Sequence, residues 1–225
     1  MTVTEPSARV DGRHGEHASR TRQSIIASAR EALIGEGYAQ FSLGVVATHA
    51  HVTRMTIYNQ FGSRLGLLEA VADDLTMRAG AVVRNGIALA EAHASDALRA
   101  LVHTACHLWS VDPVLFRRLF GLSAVDPQAQ LVLQSRDQVR VQSFTSVLGR
   151  LDAEGRVRPE LTVEQATAIL IALTSFPALD QMATRMAISH DRLIAPVMLL
   201  IEAVVDLEPT SPAGLFARDA DAVTC

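Results

Sequence analysis

The sequence predicts an all-α chain of about nine helices. Apolar residues recur at intervals of three and four along most of its length. The periodic runs begin at Ser, Thr or Asp, whose side chains cap helix N-termini. No segment reads as a strand, and there is no internal repeat.

The first helix starts at Thr21, where Ile25, Ile26, Ala29, Leu33 and Ile34 mark one face and Gly35 and Gly37 end it. Tyr38 and Phe41 follow in a tight connection. Ser42 caps a short second helix with Val45, Val46 and Ala47. Ala50-His51-Val52 is only a turn, after which Thr53 caps a third helix through Ile57 and Tyr58. Ser63 caps a fourth, with Leu65, Leu68, Val71, Ala72, Leu75 and Val82 on its inner side. Ser95-Asp96 opens a helix reaching Trp109, its acid favourable at the positive end. Asp112-Pro113 and Asp126-Pro127 each pair a capping acid with proline at the first helical position. The second of these opens a long helix to about Asp152, closed by Glu154-Gly155-Arg156. Thr162 to Gln165 form a capping box before a helix from Val163 to about Met186. The last helix runs from His190 to about Asp206. Pro177 and Pro196 should kink or interrupt these two patterns. The expected organisation is a flexible tail at 1–18, a small helical domain at 19–66, a helical body at 67–206 and a second flexible tail at 207–225.

Composition narrows the function. At 49% hydrophobic and 20% charged, the chain is too apolar to be disordered throughout. It has no run of apolar residues long enough for a transmembrane helix, so no membrane partner is expected. The first residues lack the apolar core of a secretory signal. Cys106 and Cys225 cannot build a disulfide framework or a four-cysteine zinc site, which suits a cytoplasmic location. The net charge of −4 is uneven. Residues 1–68 hold seven Arg against five acids, and the remainder thirteen Arg against nineteen. Every basic side chain among Lys and Arg is Arg, which is read as codon bias.

Three short helices and a longer one, with the second and third joined by a three-residue turn, make a helix-turn-helix arrangement. In such a unit the second helix of the pair lies in the major groove. Here that helix is very polar. Ile57, and Phe61 just beyond, can pack inward, which leaves Arg54, Met55, Thr56, Tyr58, Asn59 and Gln60 facing outward. Such groups bond base edges and phosphate oxygens, although composition alone fits an ordinary solvated helix equally well.

The segment Thr21–Val71 resembles the DNA-binding domain of the TetR family of bacterial repressors. The resemblance rests on Ile26, Ala29, Leu33, Gly37, Tyr38, Phe41 and Ser42, then Val46-Ala47, Ala50, Val52 and Thr53. It continues through Thr56-Ile57-Tyr58, Phe61, Ser63, Arg64 and Leu68. The rest of the chain is similar to that family only in being helical and of suitable length. The resemblance implies a homodimer on a partly palindromic double-stranded operator, and a C-terminal domain that binds a small inducer and releases the DNA. No cofactor is expected. By position, Ser42 and Thr53 would bond phosphates, and Arg54, Met55 and Thr56 would face base edges. Tyr58, Asn59 and Gln60 would reach phosphates or neighbouring bases. Arg64 stands where the family usually has lysine, beside a phosphate. His51 replaces the usual turn glycine and Met55 a small residue. Gly66 stands where an acid would complete the capping box, a cost of about 1 kcal/mol against Ala.

In the body, His103, Cys106 and His107 are the only cluster with chemical character. The histidines are four apart on one helical face, a spacing metal ligands use. They lie opposite the apolar stripe Leu98, Leu101, Val102, Ala105, Leu108 and Trp109, with Cys106 off their line. A solvated face or a pocket wall is therefore favoured over a metal site or a nucleophile, and no enzyme is expected. Trp109, Phe116, Phe120, Phe144 and Phe176 read as core. His103, His107, Phe144 and Phe176 are the candidate pocket residues, and scarce aromatics favour an apolar or amphipathic ligand. Leu193, Val197, Leu200, Ile201 and Val204 are expected to pair the last two helices with their two-fold mates as a four-helix bundle. The function expected is a ligand-responsive repressor. The alternatives are a helical ligand-binding dimer without specific DNA recognition, and an enzyme or metal protein using His103, Cys106 and His107.

Overall fold

The computed structural model describes residues 8–35 and 41–207. Gly37, Tyr38, Cys225 and nearly all of the C-terminal tail lie outside them. The described residues form eleven α-helices and one 3-10 helix, with no strand beyond an isolated bridge between Val157 and Val205. The chain is all-α, as the sequence predicts, with more and shorter helices than the nine expected.

The helices are α1 (Ala8–Gly35), α2 (Leu43–His49), α3 (Arg54–Phe61), α4 (Arg64–Arg78), α5 (Ala81–Ala90) and α6 (Ala94–Ser110). They continue with α7 (Pro113–Ser123), α8 (Pro127–Ala153), α9 (Val163–Leu173), α10 (Phe176–Met186), the 3-10 helix His190–Leu193 and α11 (Ile194–Ile201). Three differences from expectation have local causes. The backbone of α1 is helical from Ala8, inside the stretch expected to be a tail, because extending an established helix costs far less than starting one. The predicted fourth helix ends at Arg78. Gly80 then takes a left-handed φ of 58° and α5 begins in a new register, so Val82 is exposed rather than inward. The segment from Val163 to Met186 is two helices. Thr174 leaves helical geometry, Ser175 caps α10 and Pro177 occupies its first turn, where a missing N–H costs nothing. Pro196 likewise falls in the first turn of α11.

Most caps form as the sequence indicates. Asp112 accepts from the Leu115 amide at 3.1 Å, and Asp126 from those of Gln128 and Ala129. The Thr162–Gln165 capping box is complete in both directions.

The chain divides into two compact units. One comprises residues 1–78 and 112–136, and so holds α1 to α4, α7 and the first part of α8. Its core is Ile25, Leu33, Val46, Ile57, Leu67, Leu68, Val71 and Leu75, with Leu115, Leu119 and Leu122 from α7. Arg30 of α1 bonds Asp74 of α4 and Asp112 at the start of α7, at 3.4 and 3.1 Å, and Arg78 joins the same two acids. The other unit, residues 79–111 and 137–225, buries Leu98, Val102, Cys106, Phe144, Leu148, Leu151, Leu170 and Leu179. Leu193, Val197, Ile201 and Val204 are buried there too, which corrects their assignment to a dimer surface. Their apolar faces are covered by their own chain, and of the five residues expected at an interface only Leu200 is open.

Candidate nucleic-acid interface

The turn between α2 and α3 is set by His51, whose φ is 52°. This is the left-handed region where glycine is usual, and histidine tolerates it better than a branched residue would. The His51 amide donates to Thr48 and the Val52 amide to Ala47, closing the turn. Thr53 then opens α3 with its hydroxyl accepting from the Thr56 amide at 3.1 Å, and the two threonine hydroxyls bond each other at 2.9 Å. Ser42 does the same for α2 through the Val45 amide. Both hydroxyls expected at phosphates are thus already serving as caps.

Of α3, only Ile57 is buried. That one anchor orients the helix and leaves Arg54, Met55, Tyr58 and Asn59 exposed, Met55 by 66% and Tyr58 by 50%. Thr56 and Gln60 are half-buried. Arg54 lies with its guanidinium across Gly44 of α2, where a Cβ at position 44 would push aside the flexible end of the arginine. The two helices of the motif are therefore brought together partly through a glycine and an arginine, one of which also faces outward.

The far end of α3 is held by Arg22 of α1, a residue the sequence reading missed. Its guanidinium donates to the Gln60 carbonyl at 2.8 Å and stacks 4.4 Å above the Phe61 ring. The contact spans 38 residues, so no local pattern announces it.

Arg64, the first residue of α4, is not free-standing. It bonds Asp126 at 2.7 Å and the Gln128 amide oxygen at 3.2 Å, and lies 5.3 Å over the Phe41 ring. Asp126 is a second residue that the sequence reading did not place at this site, since it appeared only as a helix cap. Gly66 also reads differently in place. Its amide donates to the Ser63 hydroxyl at 3.0 Å. A Cβ there would strike the Phe61 carbonyl, so an acid could not complete the box. Glycine is a packing requirement here and not a cost.

The body residues are scattered in role. His103 is exposed and His107 part-buried. Burial and the charge of Arg84 lower the His107 pKa below its ordinary value, against a smaller opposing pull from Asp191. Cys106 is fully buried, and burial pushes its thiol up to about 12, so it is poorly suited to act as a nucleophile. Among the described residues no three His, Cys, Asp or Glu are grouped to hold a metal ion. Phe144 and Phe176 are core. Phe176 packs edge-on against Trp109 at 5.6 Å and stacks on His190, whose Nε2 lies 3.2 Å from Asp180. Trp109 donates to the Thr174 carbonyl at 2.9 Å. Among the described residues, no single helix is long and apolar enough to cross a membrane.

Residues 25–71, which span the helix-turn-helix, match the family model described as bacterial regulatory proteins, tetR family. The HTH-type transcriptional regulator AlkX of Mycobacterium tuberculosis is 32% identical over 106 residues, which are 47% of this chain and 44% of that protein. The match thus spans less than half the length of that relative. Two solved structures share the fold. The fatty acid degradation regulator FadR from Bacillus halodurans has a TM-score of 0.63 at 16% identity, covering 80% of this chain and 94% of the other. NalD from Pseudomonas aeruginosa, the secondary repressor of the MexAB-OprM multidrug efflux pump, has a TM-score of 0.62 at 19% identity, covering 84% and 98%.

Proposed function

We propose that this chain, whose residues 25–71 match the tetR family of bacterial regulatory proteins, is a regulator of that family, a repressor that binds an operator as a homodimer and releases it when a small apolar or amphipathic molecule binds its second unit. The observation that carries the DNA-reading part is α3. It is anchored by Ile57 alone, braced at its end by Arg22, and presents Arg54, Met55, Tyr58 and Asn59 outward. A helix anchored at its middle and braced at its far end, with a polar face turned to solvent, suits the major groove. Arg54 is the residue best equipped to tell bases apart, through a bidentate contact to guanine, and the remaining side chains supply phosphate and neighbouring contacts.

Release works by population shift. A ligand that binds better to a form whose two recognition helices are mis-spaced lowers the fraction competent for adjacent half-sites. Dimerisation through the last helices is supported by apolar surface still open on α11. Leu199 is 69% exposed and Leu200 44%.

The test is selection of genomic DNA fragments by the purified protein, followed by binding to the enriched sequence. A partly palindromic motif bound with strong salt dependence is expected. Arg54→Ala should lose preference at one position in each half-site, by about 1–3 kcal/mol, with non-specific binding largely kept. Recovery of no enriched sequence would leave a ligand-binding dimer without specific recognition. Apolar and amphipathic compounds that raise the melting temperature of the protein should also dissociate it from the selected DNA.

A further inference from the structure

We propose that Asp126 competes with operator phosphate for Arg64, so that an acid on α8 sets how tightly the α4 end of the interface grips DNA. The proposal deepens the DNA-binding reading above and rests on it. Arg64 Nη1 is the nitrogen that meets both Asp126, at 2.7 Å, and Gln128, at 3.2 Å. Its side chain is largely withdrawn from solvent and rests over Phe41. A cation so engaged is already neutralised before DNA arrives.

The two partners differ in freedom. Asp126 caps α8, with Oδ1 accepting from the Gln128 amide at 2.9 Å and the Ala129 amide at 3.0 Å, which leaves Oδ2 for Arg64. The carboxylate is therefore fixed to its helix. Arg64 reaches it on a long flexible stem and is the partner able to move. A phosphate approaching the start of α4 must draw Arg64 away from a fixed anion or accept a contact whose charge is partly cancelled. Asp126 also remains ionised well into acid. Burial raises its pKa, but the Ala129 amide, Arg64 and the Gln128 amide together bring it below the ordinary value. The competing charge is thus present under all ordinary conditions.

Phosphate contact is independent of sequence, so the test needs no known operator. Full-length protein is titrated with a mixed-sequence DNA duplex over a series of salt concentrations. Asp126→Asn keeps a capping oxygen, asparagine being as good an N-cap as aspartate. It is expected to bind on the order of tenfold more tightly at low salt, with log K against log salt steeper by roughly two units for the dimer, about one per half-site. Asp126→Ser, which caps but is too short to hold Arg64, should do the same. In an Arg64→Gln background neither substitution should change affinity or slope. An equal gain in that background would mean general repulsion between Asp126 and DNA and would overturn the proposal. So would weaker binding by Asp126→Asn, which would make the acid a clamp that presents Arg64. Absence of salt-dependent binding by the unaltered protein would overturn the DNA-binding reading itself, an outcome distinct from the other two.

Discussion

Gly66 shows how a residue changes meaning once its neighbours are known. By composition it is a missing acid and a weak helix former. In place it is the only residue type that clears the Phe61 carbonyl. Gly66→Ala should therefore destabilise the protein, by about 1–3 kcal/mol in thermal unfolding, as overpacking does. Gly149, in the interior of α8 with open space where a Cβ would go, should behave oppositely. Gly149→Ala should stabilise by about 0.4–1 kcal/mol. Titration separates residues in the same way. Because the folded-state pKa of Asp126 is lowered, its contribution to stability is complete above the ordinary value of 3.8 and is lost as pH falls through the lower folded value. Asp126→Asn should flatten the acid limb of the unfolding profile, measured by circular dichroism, by lowering stability at neutral pH and converging with the unaltered protein in acid. His51 was readable as a departure from glycine and as tolerable, and its φ of 52° agrees. Arg22 and Asp126 were not readable at the site, because each acts across a gap in sequence that no local pattern spans.

Among the elements, helix starts were the most legible part. A cap needs one side chain and an amide two or three residues on, so Thr53, Asp112 and Thr162 announce themselves. Helix ends and breaks were less so. The interruption at Gly80 and the split before Ser175 depend on backbone choices that apolar spacing does not report. The same limit explains the dimer assignment. Spacing identifies the apolar face of the last helix but not whether its own chain or a second copy covers it. Leu193, Val197, Ile201 and Val204 face inward, while Leu199 and Leu200 do not. Val197→Arg should collapse the second unit, with loss of helical signal at moderate temperature. Leu200→Arg should keep the helical signal, and in sedimentation should shift the protein toward monomer if α11 joins two copies.

At the scale of the whole molecule, the first unit is assembled from segments far apart in sequence, residues 1–78 with 112–136. Fold class was legible because helical periodicity is local. This grouping was not, because it rests on packing between distant segments. Arginines tie the segments together: Arg30 and Arg78 meet Asp74 and Asp112, and Arg136 meets Asp73. In a chain without lysine, every such tie uses a planar donor able to serve two acids at once. Asp112→Asn, which preserves the α7 cap, should lower stability by about 1 kcal/mol or less, since the charges are partly screened by solvent. The loss should shrink as salt is raised, and comparing unfolding midpoints at low and high salt would reveal it.

The sulfur of Cys106 makes the interior of the second unit a clock. With no exposed surface and a thiol pushed up to about 12, it offers an alkylating reagent almost no reactive thiolate while the unit is closed. Modification has to wait for an opening, so its rate at high reagent concentration reads how often the helices around α6 part, and at low concentration the fraction of time they are apart. A bound molecule that tightens the unit would slow that clock before any change in DNA affinity is measured. The opening of the second unit can thus be timed on the natural sequence, by following the Cys106 peptide separately from Cys225 in the mass spectrometer.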